Sequence, residues 1–246
     1  MLKTLIDLDA IAHNVARVKE TVAPARLMCV VKADAYGHGS QRVAPVMEAA
    51  GADAFGVATL AEAVALRRVI PTTDIVAWLW DPQEDLSEAL AAGIQIGIPS
   101  LEHARALVAT GLDAEAFLMV ETGMHRSGVD KQAWDEACAV LADAPTVTLL
   151  GLMSHFACAD APEHPHNDHQ ESEFRAALAH ARAAGLECPL NHLANSAAAL
   201  TRPSARFEQV RVGVALYGME PVPGLDHGLR PAMTWESSVV AVKPIG

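Results

Sequence analysis

The sequence predicts an α/β protein built on a closed (β/α)8 TIM barrel, and three observations carry the prediction. Apolar strand candidates alternate with alanine-rich amphipathic segments along the chain. The strands are apolar throughout rather than every second residue, as expected where helices cover a parallel sheet on both faces. Eight such units within about 200 residues suit a closed ring better than an open sheet. No GxGxxG joins a strand to a helix, and the GHG at 37–39 is too short to hold a dinucleotide.

A short strand over 4–8 comes first, followed by a helix over 9–22 in which Ile11, Val15 and Val18 fall at helical spacing behind an Asp able to cap it. The eight barrel strands are then read at 27–31, 54–58, 75–80, 94–98, 116–121, 148–155, 190–193 and 209–212. Helices are read between them, at 40–50, 60–69, 100–110, 131–142 and 168–184. Past Pro231, residues 234–242 are strand formers with partial alternation, and 243–246 read as an unfinished turn. The barrel needs neither terminal strand. The expected organisation is therefore a barrel over 9–230, with 1–8 and 231–246 belonging to a truncated second β domain.

Of the residues, 51% are hydrophobic and 20% charged, enough apolar surface for a full core. A formal net charge of -12 and the lack of any Lys/Arg run disfavour nucleic acid as a partner. The N-terminus does not read as a signal peptide, and no stretch of about 18 apolar residues suggests a membrane span, so a cytoplasmic location is expected. Cys29, Cys138, Cys158 and Cys188 are scattered without CxxC spacing, which points to reduced thiols rather than disulfides or zinc. Glu163, His164, His166, Asp168 and His169 crowd together where a loop enters a helix, and no regular face fixes them as ligands; no metal is expected.

The chemistry starts at Val30-Val31-Lys32-Ala33-Asp34-Ala35-Tyr36-Gly37-His38-Gly39. Lys32 directly follows an apolar strand, and the C-terminal strand ends of a barrel form its active face. A lysine desolvated there, or placed near other cations, becomes a usable amine nucleophile. The decapeptide closely resembles the cofactor segment of fold-type III alanine racemases. Further segments match that family in order: Met124-His125-Arg126-Ser127-Gly128, Ser154-His155-Phe156-Ala157, Asn195-Ser196-Ala197 and Arg211-Val212-Gly213-Val214-Ala215-Leu216-Tyr217-Gly218.

The resemblance implies interconversion of L- and D-alanine for peptidoglycan precursors by a homodimer that carries pyridoxal 5'-phosphate on Lys32. Tyr36, Asn195, Ser196 and the backbone amides of Gly213 and Val214 would bind the cofactor, most of them at its phosphate. Arg211 would donate to the pyridine nitrogen without protonating it, and His155 would pack on the ring or orient Arg211. Arg126 would hold the substrate carboxylate with its planar fork. Trp78, at the end of the third barrel strand, reads as core with pocket lining as the alternative.

One departure stands out. Seven residues before the substrate arginine many of these enzymes have a carbamylated lysine, and here that position is Met119, so another group, an anion or water must hold Arg126. Lys32 would serve one face of the substrate, while the family's second base is a tyrosine from the partner's second domain. Tyr36 and Tyr217, the two tyrosines present, fall in segments assigned otherwise, so slow turnover by this chain is expected. The alternatives are a non-catalytic barrel that only carries pyridoxal phosphate, a racemase of broader specificity, and a fold-type III aldolase.

Overall fold

The computed structural model describes residues 2–246; Met1, the first residue of the expected terminal segment 1–8, lies outside the described residues. The chain opens with β1 (Lys3–Ile6) and the 15-residue helix α1 (Leu8–Val22). Asp7, not Asp9, caps α1, its Oδ1 accepting from the Ala10 amide at 2.9 Å, and Asp9 lies in the first turn.

The barrel proper runs β2 (Arg26–Val30), α2 (Lys32–Gly37), α3 (Ser40–Ala49), β3 (Ala54–Val57), α4 (Leu60–Arg67), β4 (Asp74–Ala77), α5 (Ser87–Ala91), β5 (Ile94–Ile98), α6 (Leu101–Ala109) and β6 (Ala114–Met119). It continues through α7 (Trp134–Ala142), β7 (Val147–Met153), α8 (His166–Ala183), α9 (Ser196–Thr201) and β8 (Gln209–Val212). Strands β2 to β7 pair in parallel with their sequence neighbours, and β8 returns to pair with β2, Leu27 opposite Val210 and Cys29 opposite Val212.

Residues 190–194 close the ring between β7 and β8. The amides of Leu190 and His192 donate to Leu150 and Leu152 at 2.8 and 3.0 Å, while Gln209 and Arg211 donate to Asn191 and Ala194 at 3.2 and 3.0 Å. Gly151 permits this approach, since a Cβ there would lie 1.8 Å from the Leu190 carbonyl oxygen. All eight expected barrel strands are therefore found, the seventh as this bonded segment.

Their uniform apolarity has a plain cause. Met28, Ala54, Val76, Phe117, Met119 and Met153 pack together inside the ring, while their neighbours Leu27, Cys29, Phe55, Ile75 and Leu118 are buried under the helices. Helix α1 buries Ile11, Val15, Val18 and Val22 against α3 and the 3-10 turn Val214–Tyr217, filling the outer-ring position that follows β8. Buried Asn14 fixes it there, donating to the carbonyls of Leu216 and Arg230 at 3.1 and 2.8 Å and accepting from the Arg230 amide at 2.8 Å.

Three features differ from the sequence expectation. Short helices α5 and α9 were not expected, being only 5 and 6 residues long and too short to show a period. The strand expected over 234–242 is confined to β9 (Met233–Glu236), which pairs antiparallel with β1, Leu5 opposite Thr234. Residues Ala33 to Tyr36 form a left-handed helical turn, with φ from 51° to 55° at four consecutive non-glycine residues. Left-handed geometry costs L-residues roughly 1–2 kcal/mol each, so propensity points away from it and neighbouring contacts must hold it.

Candidate active site

The C-terminal ends of the barrel strands open into a cavity of about 1190 Å³. Every sequence-predicted site residue lines it: Lys32 and Tyr36 after β2, Arg126 after β6, His155 after β7, Asn195 and Ser196 at the start of α9, and Arg211, Gly213 and Val214 at the end of β8. Residues as far apart as 32 and 214 in sequence meet because the ring brings β2 beside β8.

Lys32 leaves β2 at the point where the backbone turns left-handed, and its Nζ lies 5.9 Å from the Tyr36 ring centre. Burial, then the positive charges of Arg126 and Arg211, lower its pKa, while Glu62 opposes them. The site therefore shifts the amine toward its neutral, nucleophilic form.

Arg211 is buried at the floor of the cavity with both terminal nitrogens engaged. Its Nη1 donates to the His192 carbonyl at 2.6 Å and to His192 Nδ1 at 2.9 Å. Its Nη2 donates to the Ser154 carbonyl and, at 3.3 Å, to His155 Nδ1. Nε is left as the guanidinium donor with no protein acceptor among the described residues, facing the site. Burial, then Arg126, push Arg211 down to about 9, which leaves it charged at neutral pH. Burial and the same cations push His155 down to about 3, and His192 is lowered by burial and Arg211, so both imidazoles are neutral acceptors at Nδ1.

Tyr36, Ser196 and Gly213 form one corner. The Gly213 amide donates to Ser196 Oγ at 3.0 Å, so the Ser196 hydroxyl keeps its own proton for another acceptor. A Cβ on Gly213 would stand 2.5 Å from Tyr36 Oη, so glycine here keeps the corner open. Asn195 plays a different local part: its Oδ1 caps α9 through the Ala198 amide at 3.2 Å. Arg126 is exposed, and no carboxylate among the described residues pairs with it. Met119 lines the same cavity from the apolar barrel interior.

Trp78, read from the sequence as core with pocket lining as the alternative, lines the cavity, and a Cβ on either Gly56 of β3 or Gly97 of β5 would lie 2.7 Å from its side chain. Sequence reading missed several contributors. His192, under Arg211, meets Phe117 edge-on with ring centres 4.6 Å apart. Fully buried Gln170 of α8 donates to Thr122 Oγ1 and the His155 carbonyl at 3.2 and 3.0 Å and accepts from the Ala157 amide at 2.9 Å. It thereby ties the loop that carries Arg126 to the loop that carries His155. His166, from the histidine-rich helix start, bonds the Gly123 carbonyl at 2.9 Å on that same Arg126 loop. No group of three or more side chains able to hold a metal occurs among the described residues.

The arrangement, a nucleophilic amine, a buried arginine floor, a hydroxyl-and-amide corner and an exposed arginine fork, suits a phosphorylated aromatic aldehyde together with a small carboxylate. Comparison with known proteins agrees. The family model described as alanine racemase, N-terminal domain, matches residues 6–221. An alanine racemase of Corynebacterium efficiens is 54% identical over 248 residues, which cover 100% of this chain and 68% of that protein. The crystal structure of alanine racemase from Corynebacterium glutamicum superposes with a TM-score of 0.93 at 50% identity, covering 96% of this chain and 68% of the other. The structure of alanine racemase from Bartonella henselae with covalently bound pyridoxal phosphate superposes at 0.88 with 27% identity, covering 95% and 68%.

Proposed function

The chain belongs to the alanine racemase family, and on that premise we propose that Lys32 carries the pyridoxal phosphate with which the enzyme interconverts L- and D-alanine. The observation that carries the assignment is the placement of Lys32 in one cavity with the Arg211 Nε donor and the open corner at Gly213. These features fit the cofactor: Arg211 Nε would offer a donor to the ring nitrogen, and glycine at 213 lets the Tyr36 hydroxyl and the backbone amides stand close together where they could hold a phosphate.

Pyridoxal phosphate, when bound, supplies an aldehyde for attachment to an amine and a conjugated ring that spreads the negative charge left at a substrate α-carbon. The protein does the rest. Tyr36 Oη, Ser196 Oγ and the amide of Val214 would donate to the phosphate, with the Gly213 amide holding Ser196 Oγ in place. Asn195 acts through α9, holding Ser196 in place. Arg211, charged yet unable to yield its proton readily, offers the ring nitrogen a hydrogen bond only. Neutral His155 and His192 fix its plane.

Arg126 grips the substrate carboxylate with two parallel bonds. Lys32 Nζ then takes and returns the proton on its own face of the α-carbon. The opposite face needs a second group. Neither tyrosine is placed for it: Tyr217 Oη donates to the Val30 carbonyl at 2.9 Å, and Tyr36 occupies the phosphate corner. We assign that group to a tyrosine of a partner subunit in a homodimer.

The same reading places the enzyme in the cytoplasm, supplying D-alanine for peptidoglycan precursors. Its four free cysteines suit a reducing compartment, and no helix among the described residues is long and apolar enough to cross a membrane. It also assigns 1–8 and 231–246 to a β unit apart from the barrel. Support comes from β1 pairing with β9 rather than with the ring, and from the exposure of Leu5 and Trp235.

Borohydride reduction of cofactor-loaded protein tests the central assignment. The fixed label is expected on the peptide containing Lys32; label on Lys3, Lys19, Lys131 or Lys243 would overturn it.

A further inference from the structure

The left-handed turn from Ala33 to Tyr36 carries two site residues, Lys32 at its start and Tyr36 at its end, and requires an external hold. Its own backbone supplies part of one: Ala35 donates to the Val31 carbonyl at 2.8 Å and Gly39 to that of Asp34 at 2.9 Å. The Asp34 side chain accepts from the Ser40 amide and hydroxyl at 2.7 and 2.9 Å. The first residue of the turn, Ala33, is tied elsewhere. Its amide donates to Glu62 Oε1 of α4 at 2.8 Å.

The other carboxylate oxygen of Glu62 accepts from the amides of Ala58 and Thr59 at 2.8 and 3.2 Å. Thr59 Oγ1 in turn accepts from the Glu62 amide at 3.2 Å, completing a capping box. A capping box needs only that second oxygen. The first reaches across to the neighbouring βα loop, so one carboxylate joins the exits of β2 and β3 immediately beside Lys32.

We infer that Glu62 is a positioning residue for the cofactor lysine: its carboxylate pins the left-handed turn at Ala33 and places its charge at the start of the turn that Lys32 opens. The inference rests on Lys32 being the cofactor lysine. Two effects follow from one side chain. The tether sets the direction in which Lys32 and Tyr36 leave the strand. The charge works against the cations facing the amine, Arg126 from the loop after β6 and Arg211 from β8; the uncharged Tyr36 ring and the neutral His155 imidazole from the loop after β7 face it as well. Glu62 therefore limits how far the amine is driven to its neutral form, and its removal favours that form further.

The experiment is competitive acetylation of the cofactor-free protein across pH, with each lysine read separately by mass spectrometry, together with amide exchange at Ala33. Glu62→Gln keeps the length but loses the charge and one of its two acceptors. It should move the Lys32 midpoint downward, leave Lys131 and Lys243 where they were, speed exchange at Ala33 and weaken pyridoxal phosphate binding about tenfold. Glu62→Asp keeps the charge but falls one methylene short of Ala33, so exchange should speed up with a smaller change in the Lys32 midpoint. Thr59→Ala breaks the capping box alone and should lower stability without moving Lys32. An unchanged Lys32 midpoint and unchanged Ala33 exchange in Glu62→Gln would overturn the inference, as would an equal midpoint shift in Thr59→Ala. If Glu62→Gln does not fold, Glu62→Asp with parental Ala33 exchange overturns it. The acetylation needs no cofactor, so a borohydride label on another lysine would remove the cofactor assignment while the hold of Glu62 on Lys32 is still read.

Discussion

Replacing Gly213 with alanine should strip the protein of most of its affinity for pyridoxal phosphate while the barrel stays folded. The added Cβ would stand 2.5 Å from Tyr36 Oη, 3.1 Å from Cζ and 3.4 Å from Cε2. Comfortable contact begins near 3.5 Å, so the hydroxyl must withdraw by about 1 Å. Tyr36 cannot yield freely, because it sits on the left-handed turn with its ring 5.1 Å from that of Tyr217. Losing one hydrogen bond to a charged group costs about 1.5–3 kcal/mol, or roughly 10- to 150-fold in affinity. Crowding of this kind destabilises by about 1–3 kcal/mol, which a domain holding about 5–15 kcal/mol survives. Affinity would be measured by equilibrium dialysis against pyridoxal phosphate, and stability by thermal unfolding without it. In a double-mutant cycle, adding Gly213→Ala to Tyr36→Phe should cost much less than adding it to the parent, since the clashing atom is gone. Affinity within twofold of the parent, or full additivity with Tyr36→Phe, would refute the reasoning.

Two further outcomes follow from the barrel itself. Gly151→Ala should fail to yield folded protein, because its Cβ would meet the Leu190 carbonyl oxygen at 1.8 Å where backbone closes the ring; soluble protein with parental Tm would contradict this. His155 titrates at 6.5 when unfolded but near 3 when folded, so between those values the unfolded chain binds a proton the folded chain refuses. Stability should then fall as pH drops from 6.5 toward 3, by up to about 1.4 kcal/mol per pH unit from this one group. Urea unfolding at a series of pH values should show a shallower fall in His155→Gln, with the remaining slope from His192 in the same direction; an identical slope would remove His155 as its source.

The eight barrel strands were legible because both of their faces are buried, so burial alone wrote them into the sequence as apolar runs. The nine proposed site residues were legible as short segments that resemble a family, and the structure adds the reason they converge. What the sequence hid is of two kinds. The turn at Ala33 to Tyr36 has ordinary residues in a conformation that only contacts from other elements can impose, Glu62 among them. Gln170 and Glu62 act through bonds to backbone groups distant in sequence, and His192 by accepting from the Arg211 guanidinium, and no local spacing marks such partners. The helix cap was displaced by two residues because Asp7 and Asp9 are equally suited by type, and only the geometry at Ala10 chooses between them.

Helix α1 has a bearing on how the chain reaches its native state. Its apolar face docks on a turn some 200 residues downstream, with Asn14 bonded across separations of 202 and 216 residues. β2 must likewise wait for β8. On the ribosome, the first helix and first ring strand emerge long before the segments that cover them, and neither can settle until nearly the whole barrel has been synthesised. Such non-local closure is slow and leaves apolar surface uncovered in the interval. Nascent chains stopped before Arg230 should therefore engage chaperones through residues 8–30, and release from them should coincide with the arrival of the last ring strand and the loop that anchors Asn14.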